Sequence, residues 1–102
     1  MRVIIDGKKY DTDTAEHIAS ASYSGSRSDF QWWEEDLYRK RTGEFFLSGA
    51  GGPMTRYAAA VDQNSWTGGS RIIPLSEEEA REWLERHADA ETYEQVFGAV
   101  PE

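Results

Sequence analysis

Cysteine is absent from this chain, which removes disulfides, thiolate metal sites and cysteine nucleophiles together and fits a reducing cytoplasm. Bases are scarce: 11 Lys and Arg stand against 19 Asp and Glu, a net charge of −8. That balance opposes direct binding of nucleic acid through phosphate neutralisation, and adhesion to an anionic membrane. Long apolar runs are missing too. The opening Met1-Arg2-Val3-Ile4-Ile5-Asp6 meets a charge and then Gly7 after three apolar residues, so neither a signal peptide nor a membrane span is expected. Histidine is limited to His17 and His87, and no nucleophile elbow or Ser–His spacing occurs. With 102 residues there is room for one small core, and the shortage of catalytic parts predicts a non-enzymatic protein without cofactor or metal.

What is present gives a reading of the fold. Asp6-Gly7 is a favoured type I′ pair and predicts a hairpin of Arg2–Ile5 with Lys8–Asp11, placing Val3 opposite Tyr10 and Ile5 opposite Lys8. Asp13 and Glu16 have capping-box spacing, and Ala15, Ile18 and Ala19 recur as an apolar stripe, so an N-terminal helix is expected before the Ser20–Ser26 loop. Trp32–Arg41 and Glu44–Gly49 predict a second hairpin around Thr42-Gly43. A two-residue turn there would put Tyr38 with Phe45 and Leu47 on one face, and Leu37 with Phe46 on the other. Both faces would then be covered, or one would display aromatics. Residues 55–70 are ambiguous, and Arg71–Leu75 reads as a short strand at a sheet edge because Pro74 cannot donate to a ladder.

The C-terminal part carries the clearest signals. Ser76 and Glu79 form an S-x-x-E capping box, followed by Ala80, Trp83, Leu84, His87 and Ala88 at helical spacing. Asp89 predicts the cap of a second helix with Ala90, Tyr93 and Phe97 inward and Gly98 as terminator. The expected architecture is one α+β domain over residues 1–102, a small antiparallel sheet of hairpins packed with an N-terminal helix and two C-terminal helices.

Charge is unevenly placed. Residues 1–76 hold 10 acids and 9 bases, whereas residues 77–102 hold 9 acids and 2 bases, so −7 of the −8 lies in the C-terminal part. This is either a solvated face that favours solubility or a negative surface for a basic partner. Glu78, Glu82, Glu85 and Asp89 are the candidate acidic contacts. Four tryptophans are many for this length: Trp83 reads as core, while adjacent Trp32 and Trp33 point opposite ways in a strand, leaving one, with Phe30 or Trp66, as a candidate anchor. Trp32, Trp33, Phe46 and Tyr57 are the candidate aromatic contacts. Gly49, Gly51 and Gly52 lack the Gly-Lys-Ser/Thr of a phosphate loop and read as a turn of unusual φ. Asp11 and Asp13 read as turn and cap residues rather than metal ligands. Glu35 with Asp36 is a weak acid–base pair, since strand neighbours face opposite ways.

Three stretches carry a resemblance. Asp6-Gly7-Lys8-Lys9-Tyr10-Asp11-Thr12-Asp13-Thr14-Ala15, Leu37-Tyr38-Arg39 through Gly43-Glu44-Phe45-Phe46-Leu47 to Gly51-Gly52, and Ile72-Ile73-Pro74-Leu75-Ser76-Glu77-Glu78-Glu79-Ala80 with Trp83-Leu84 resemble small acidic proteins of bacterial mobile elements and phages. Relatives in that group tend to have an acid where Ala50 stands. In size and charge the chain also looks like an anti-CRISPR protein. That likeness implies a stoichiometric inhibitor, a DNA mimic occupying a basic nucleic-acid-binding surface of a CRISPR–Cas effector, as monomer or homodimer. Two rivals stand beside it: a regulatory protein-interaction module of a mobile element that uses the sheet aromatics, and a small enzyme built on a carboxylate and His17.

Overall fold

Four strands form the central sheet of the computed structural model, which describes all residues from Met1 to Glu102. Strand β1 (Arg2–Ile5) pairs with β2 (Lys8–Asp11) as a separate hairpin. The central sheet has the order β3-β4-β5-β8, with β3 spanning Glu16–Ser22, β4 Trp33–Arg39, β5 Phe45–Gly51 and β8 Gly69–Leu75, all antiparallel. Between β5 and β8, β6 (Ala59–Ala60) and β7 (Trp66–Thr67) make a minimal third pair. Helices α1 (Glu77–His87) and α2 (Ala90–Phe97) close the chain.

The expected arrangement is wrong in its N-terminal half. Strands take up 39% of the chain and helices 19%, so the protein is mostly β, and no N-terminal helix exists. Residues 16–22 are instead the edge strand β3, and the Asp13–Glu16 capping box does not form; Asp11 Oδ1 accepts the Asp13 N–H in a local turn. Long-range pairing with β4 overrides the local helix signal. The strand signal was present as well: Ala19, Ala21 and Tyr23 alternate with Ser20, Ser22 and Ser24 at period two. Ala19 and Ala21 pack toward the helices, which their small side chains let approach closely.

The first hairpin forms as its sequence predicts, with Val3 opposite Tyr10, Ile5 opposite Lys8, and positive φ at both Asp6 and Gly7. The β4–β5 turn is one residue longer than expected. Arg41-Thr42-Gly43 form a three-residue loop, closed by the Lys40 N–H donating to the Glu44 carbonyl at 2.7 Å and the Gly43 N–H to the Lys40 carbonyl at 2.9 Å. Gly43 supplies the left-handed residue, φ 95°, that such loops require. The shift of one residue changes which side chains share a face. Leu37 pairs with Leu47, and Tyr38 pairs with Phe46. The expected grouping of Tyr38 with Phe45 and Leu47 is therefore incorrect.

Both faces of the sheet are used. On one, Leu37, Phe45 and Leu47 meet Ala80, Trp83 and Leu84 of α1, with Tyr93, Val96 and Phe97 of α2 at the margin. On the other, the β1–β2 hairpin lays Tyr10 edge-on against Phe46, at 5.5 Å and 83°, while Tyr38 stacks flat on Phe46. Pro74 lies in edge strand β8 opposite Phe46, where its missing N–H costs no ladder bond. The Ser76 box is complete: Ser76 Oγ accepts the Glu79 N–H, and Glu79 Oε1 accepts the Ser76 N–H. Asp89 caps α2 and Gly98 ends it, but Ala90 is exposed rather than inward. Only 13 of 102 residues are buried, so each interaction among them is a large share of the stability.

Candidate functional site

Helix α1 presents two opposed faces. Ala80, Trp83 and Leu84 turn to the sheet, while Glu78, Glu82 and Glu85, spaced at i, i+4 and i+7, share the outer side and are exposed. None of the three takes part in an ion pair. Arg81, one of the two bases of the C-terminal part, is occupied by Glu77 at 3.3 Å, the Tyr93 hydroxyl at 3.3 Å and the Phe97 ring at 4.2 Å. Arg86, the other, lies four residues beyond Glu82 but is in no ion pair, so the outer carboxylates carry no direct partner within the chain. Asp89 extends the charge, but its carboxylate accepts the Thr92 N–H at 2.8 Å, which holds its carboxyl below the usual range.

Beneath the inner face lies the one buried acid. Trp33, Glu35 and Leu37 alternate toward the helices, and Glu35 is buried among them, its side chain only 6% exposed. Glu35 Oε1 accepts from Trp83 Nε1 at 2.9 Å; Oε2 accepts from the Tyr57 hydroxyl at 2.7 Å and Arg56 Nε at 3.0 Å, with Arg56 Nη2 also in contact. Burial alone would raise the Glu35 carboxyl, but the bonds from Trp83, Tyr57 and Arg56 together with the Arg56 charge outweigh it and hold the group below its ordinary value. Burial and the Glu35 carboxylate push the Tyr57 phenol up. An ionised acceptor with its donors in place is a tie between β4, α1 and the 52–58 loop, not a proton donor. Beside it opens a shallow cleft of about 360 Å³ where His87 sits between the rings of Trp33 and Trp83, at 5.3 and 5.1 Å. Burial pushes the His87 imidazole down.

Glu35 and Asp36 do point to opposite sides, so they make no acid–base pair. Asp36 instead joins His17 and Ser20 on the other sheet face. His17 Nε2 lies 2.9 Å from Asp36 Oδ1 and 3.1 Å from Ser20 Oγ, and Ser20 Oγ donates to the same Asp36 oxygen at 2.5 Å. A nucleophile relay requires one ring nitrogen on the serine and the other on the acid. Here a single nitrogen faces both, so the group is a cross-strand clamp between β3 and β4. No three His, Asp or Glu side chains gather to hold a metal ion.

The candidate aromatic contacts divide. Phe46 is wholly buried and Tyr57 is 3% exposed, so, contrary to expectation, neither offers a surface to a partner. Trp33 is half-buried against His87, and Trp32 carries the Arg27 guanidinium over its ring at 4.6 Å. The exposed rings are Phe30 and Trp66, with Met54 the exposed apolar side chain at the cleft rim. The glycines after Leu47 are not a turn of unusual φ. Gly49 and Gly51 lie in β5, none of the three has positive φ, and a Cβ on Gly49 would collide with the Tyr57 hydroxyl. Sequence reasoning missed Arg56 altogether; the signal for its partner was an acid at an inward position of an aromatic strand. Compared with protein-family models, curated proteins and solved structures, the chain matches none. No helix is long and apolar enough to cross a membrane.

Proposed function

We propose that this is a non-enzymatic, cytoplasmic binding protein whose acidic α1 face occupies a basic, nucleic-acid-binding surface of a protein partner, and that the partner is a CRISPR–Cas effector. The observation that carries the reading is the outer row Glu78, Glu82 and Glu85: exposed, unpaired, and fixed on a capped helix that is anchored beneath by Trp83. Carboxylates held at fixed spacing present negative charge where a groove built for phosphates carries positive charge. The resemblance to small mobile-element and phage proteins supports the choice of an immune effector as partner. Burial of Phe46 and Tyr57 removes two of the four aromatic contacts expected to anchor this surface, and Phe46 is equally lost to the rival module that relies on the sheet aromatics, so the reading rests on the acidic row.

Expression of the chain in bacteria immune through CRISPR systems of several types tests the reading. Phage plaquing is expected to recover on one immune strain with the parent protein and to stay suppressed with the variant Glu78→Lys/Glu82→Lys/Glu85→Lys. These positions are solvent-facing, so the variant's circular dichroism should match that of the parent. Equal recovery by parent and variant would eliminate the acidic-face mechanism, and recovery on no strain would count against an immune effector as partner.

A further inference from the structure

We infer that the cleft between the β1–β2 and β4–β5 turns binds a compact multivalent phosphate anion. This cleft, about 450 Å³, draws Lys8 and Lys9 from the start of β2 and Lys40 and Arg41 from the β4–β5 connection. Four of the 11 bases of the chain therefore converge there, against two acids, Asp11 and Glu44. The acids do not balance them. Glu44 is shared between Lys8, at 2.9 Å, and Lys40, at 3.5 Å, so one carboxylate serves two ammonium groups. Asp11 accepts the Asp13 N–H and is in no ion pair. Lys9 and Arg41 also have no ionic partner.

Lys40 makes this a built feature rather than a group of mobile surface chains. Its side chain is only 13% exposed, and its ammonium is held 3.6 Å from the Tyr10 ring centroid. Taking a cation out of water while sharing its counter-ion leaves positive potential that a bound anion can satisfy. The hydroxyls of Thr14 and Thr42 line the same space, and Arg41 brings a planar fork suited to phosphate oxygens.

The lining also selects the kind of anion. No hydrophobic residue lines it, and its charged and hydroxyl groups suit phosphate oxygens. The lining carries four positive and two negative charges in a chain of net −8, so the rest of the molecule carries −10. That field repels an extended polyanion, while screening over about 10 Å leaves a compact anion in the cleft under its local charges. Pyrophosphate is the simplest ligand of this class.

The test is a titration of pyrophosphate into the intact chain at about 0.1 M ionic strength, where that screening holds, followed by amide chemical shifts and by calorimetry. Saturable one-to-one binding is expected, with shifts confined to the two turns. Lys9→Ala/Arg41→Ala is expected to weaken it by about tenfold or more, since two charge-assisted contacts are lost. Neither side chain is hydrogen-bonded within the protein, so the variant should melt as the parent does, and Arg86→Ala on α1 should bind unchanged. Absence of saturable binding, or equal binding by the Lys9/Arg41 variant, would overturn the inference. A single-stranded oligonucleotide binding more tightly than pyrophosphate would overturn the compact-anion assignment.

Discussion

Glu35→Ala is expected to lower the melting temperature by roughly 12–24 °C, the equivalent of about 3 kcal/mol in a domain of this size. The substitution empties the acceptor site of three donors at once. Arg56, whose side chain is 48% exposed, turns to water at little cost. The Tyr57 hydroxyl and the Trp83 indole N–H cannot, because both residues are buried, and an unsatisfied buried donor costs about 1–3 kcal/mol. Glu35→Gln preserves the volume but offers one acceptor oxygen, so its loss should fall near half that of alanine.

The pH dependence has a definite sign. The folded Glu35 carboxyl is depressed below its ordinary value of 4.5. Its stabilisation is therefore fully present above the unfolded value and is lost as pH falls through the lower folded value. The gap in melting temperature between parent and Glu35→Gln should be constant near neutrality and close in that acidic window. A gap that widens on acidification would show that Glu35 is not held as the ionised form.

Gly49→Ala is expected to destabilise by about 3 kcal/mol, an unusual cost for one methyl group. The new Cβ would occupy the place of the Tyr57 hydroxyl, so the ring must leave its buried site and its bond to Glu35 is broken. A double-mutant cycle separates this from a generic strand effect, because in a Tyr57→Ala background the obstruction is gone. Gly49→Ala should then cost less than about 0.5 kcal/mol by denaturant unfolding. Additive losses would mean that the glycine is needed for another reason.

The parts of the fold legible in the sequence are those whose signals are local. The Asp6-Gly7 turn fixed its own register, and the Ser76–Glu79 box and Asp89 set both helix starts within a few residues of chain. The parts that failed depend on distant partners. At residues 13–19 a capping pattern and an apolar stripe suggested a helix, yet residues 13–15 form a turn and the open edge of β4 took residues 16–22 as a strand. At Thr42-Gly43 a two-residue and a three-residue turn are both compatible with glycine, and the difference transferred Tyr38 to the other face. The Glu35 tie was illegible for the same reason: its donors lie 21, 22 and 48 residues away. For the proposed contact surface, the acidic spacing on α1 could be read directly from the chain. Whether a given aromatic was exposed could not, since Phe46 and Trp66 differ only in what folds over them.

The acidic-face account is tested most directly by the association rate of the purified chain with the effector named by the plaque panel, measured at low and high salt. Electrostatic steering predicts that Glu78→Lys/Glu82→Lys/Glu85→Lys associates about tenfold or more slowly than the parent at low salt. The two rates should draw together near 1 M salt, where screening shortens to about 3 Å. Equal rates for parent and variant at low salt would contradict the account, and would place the contact elsewhere on the molecule.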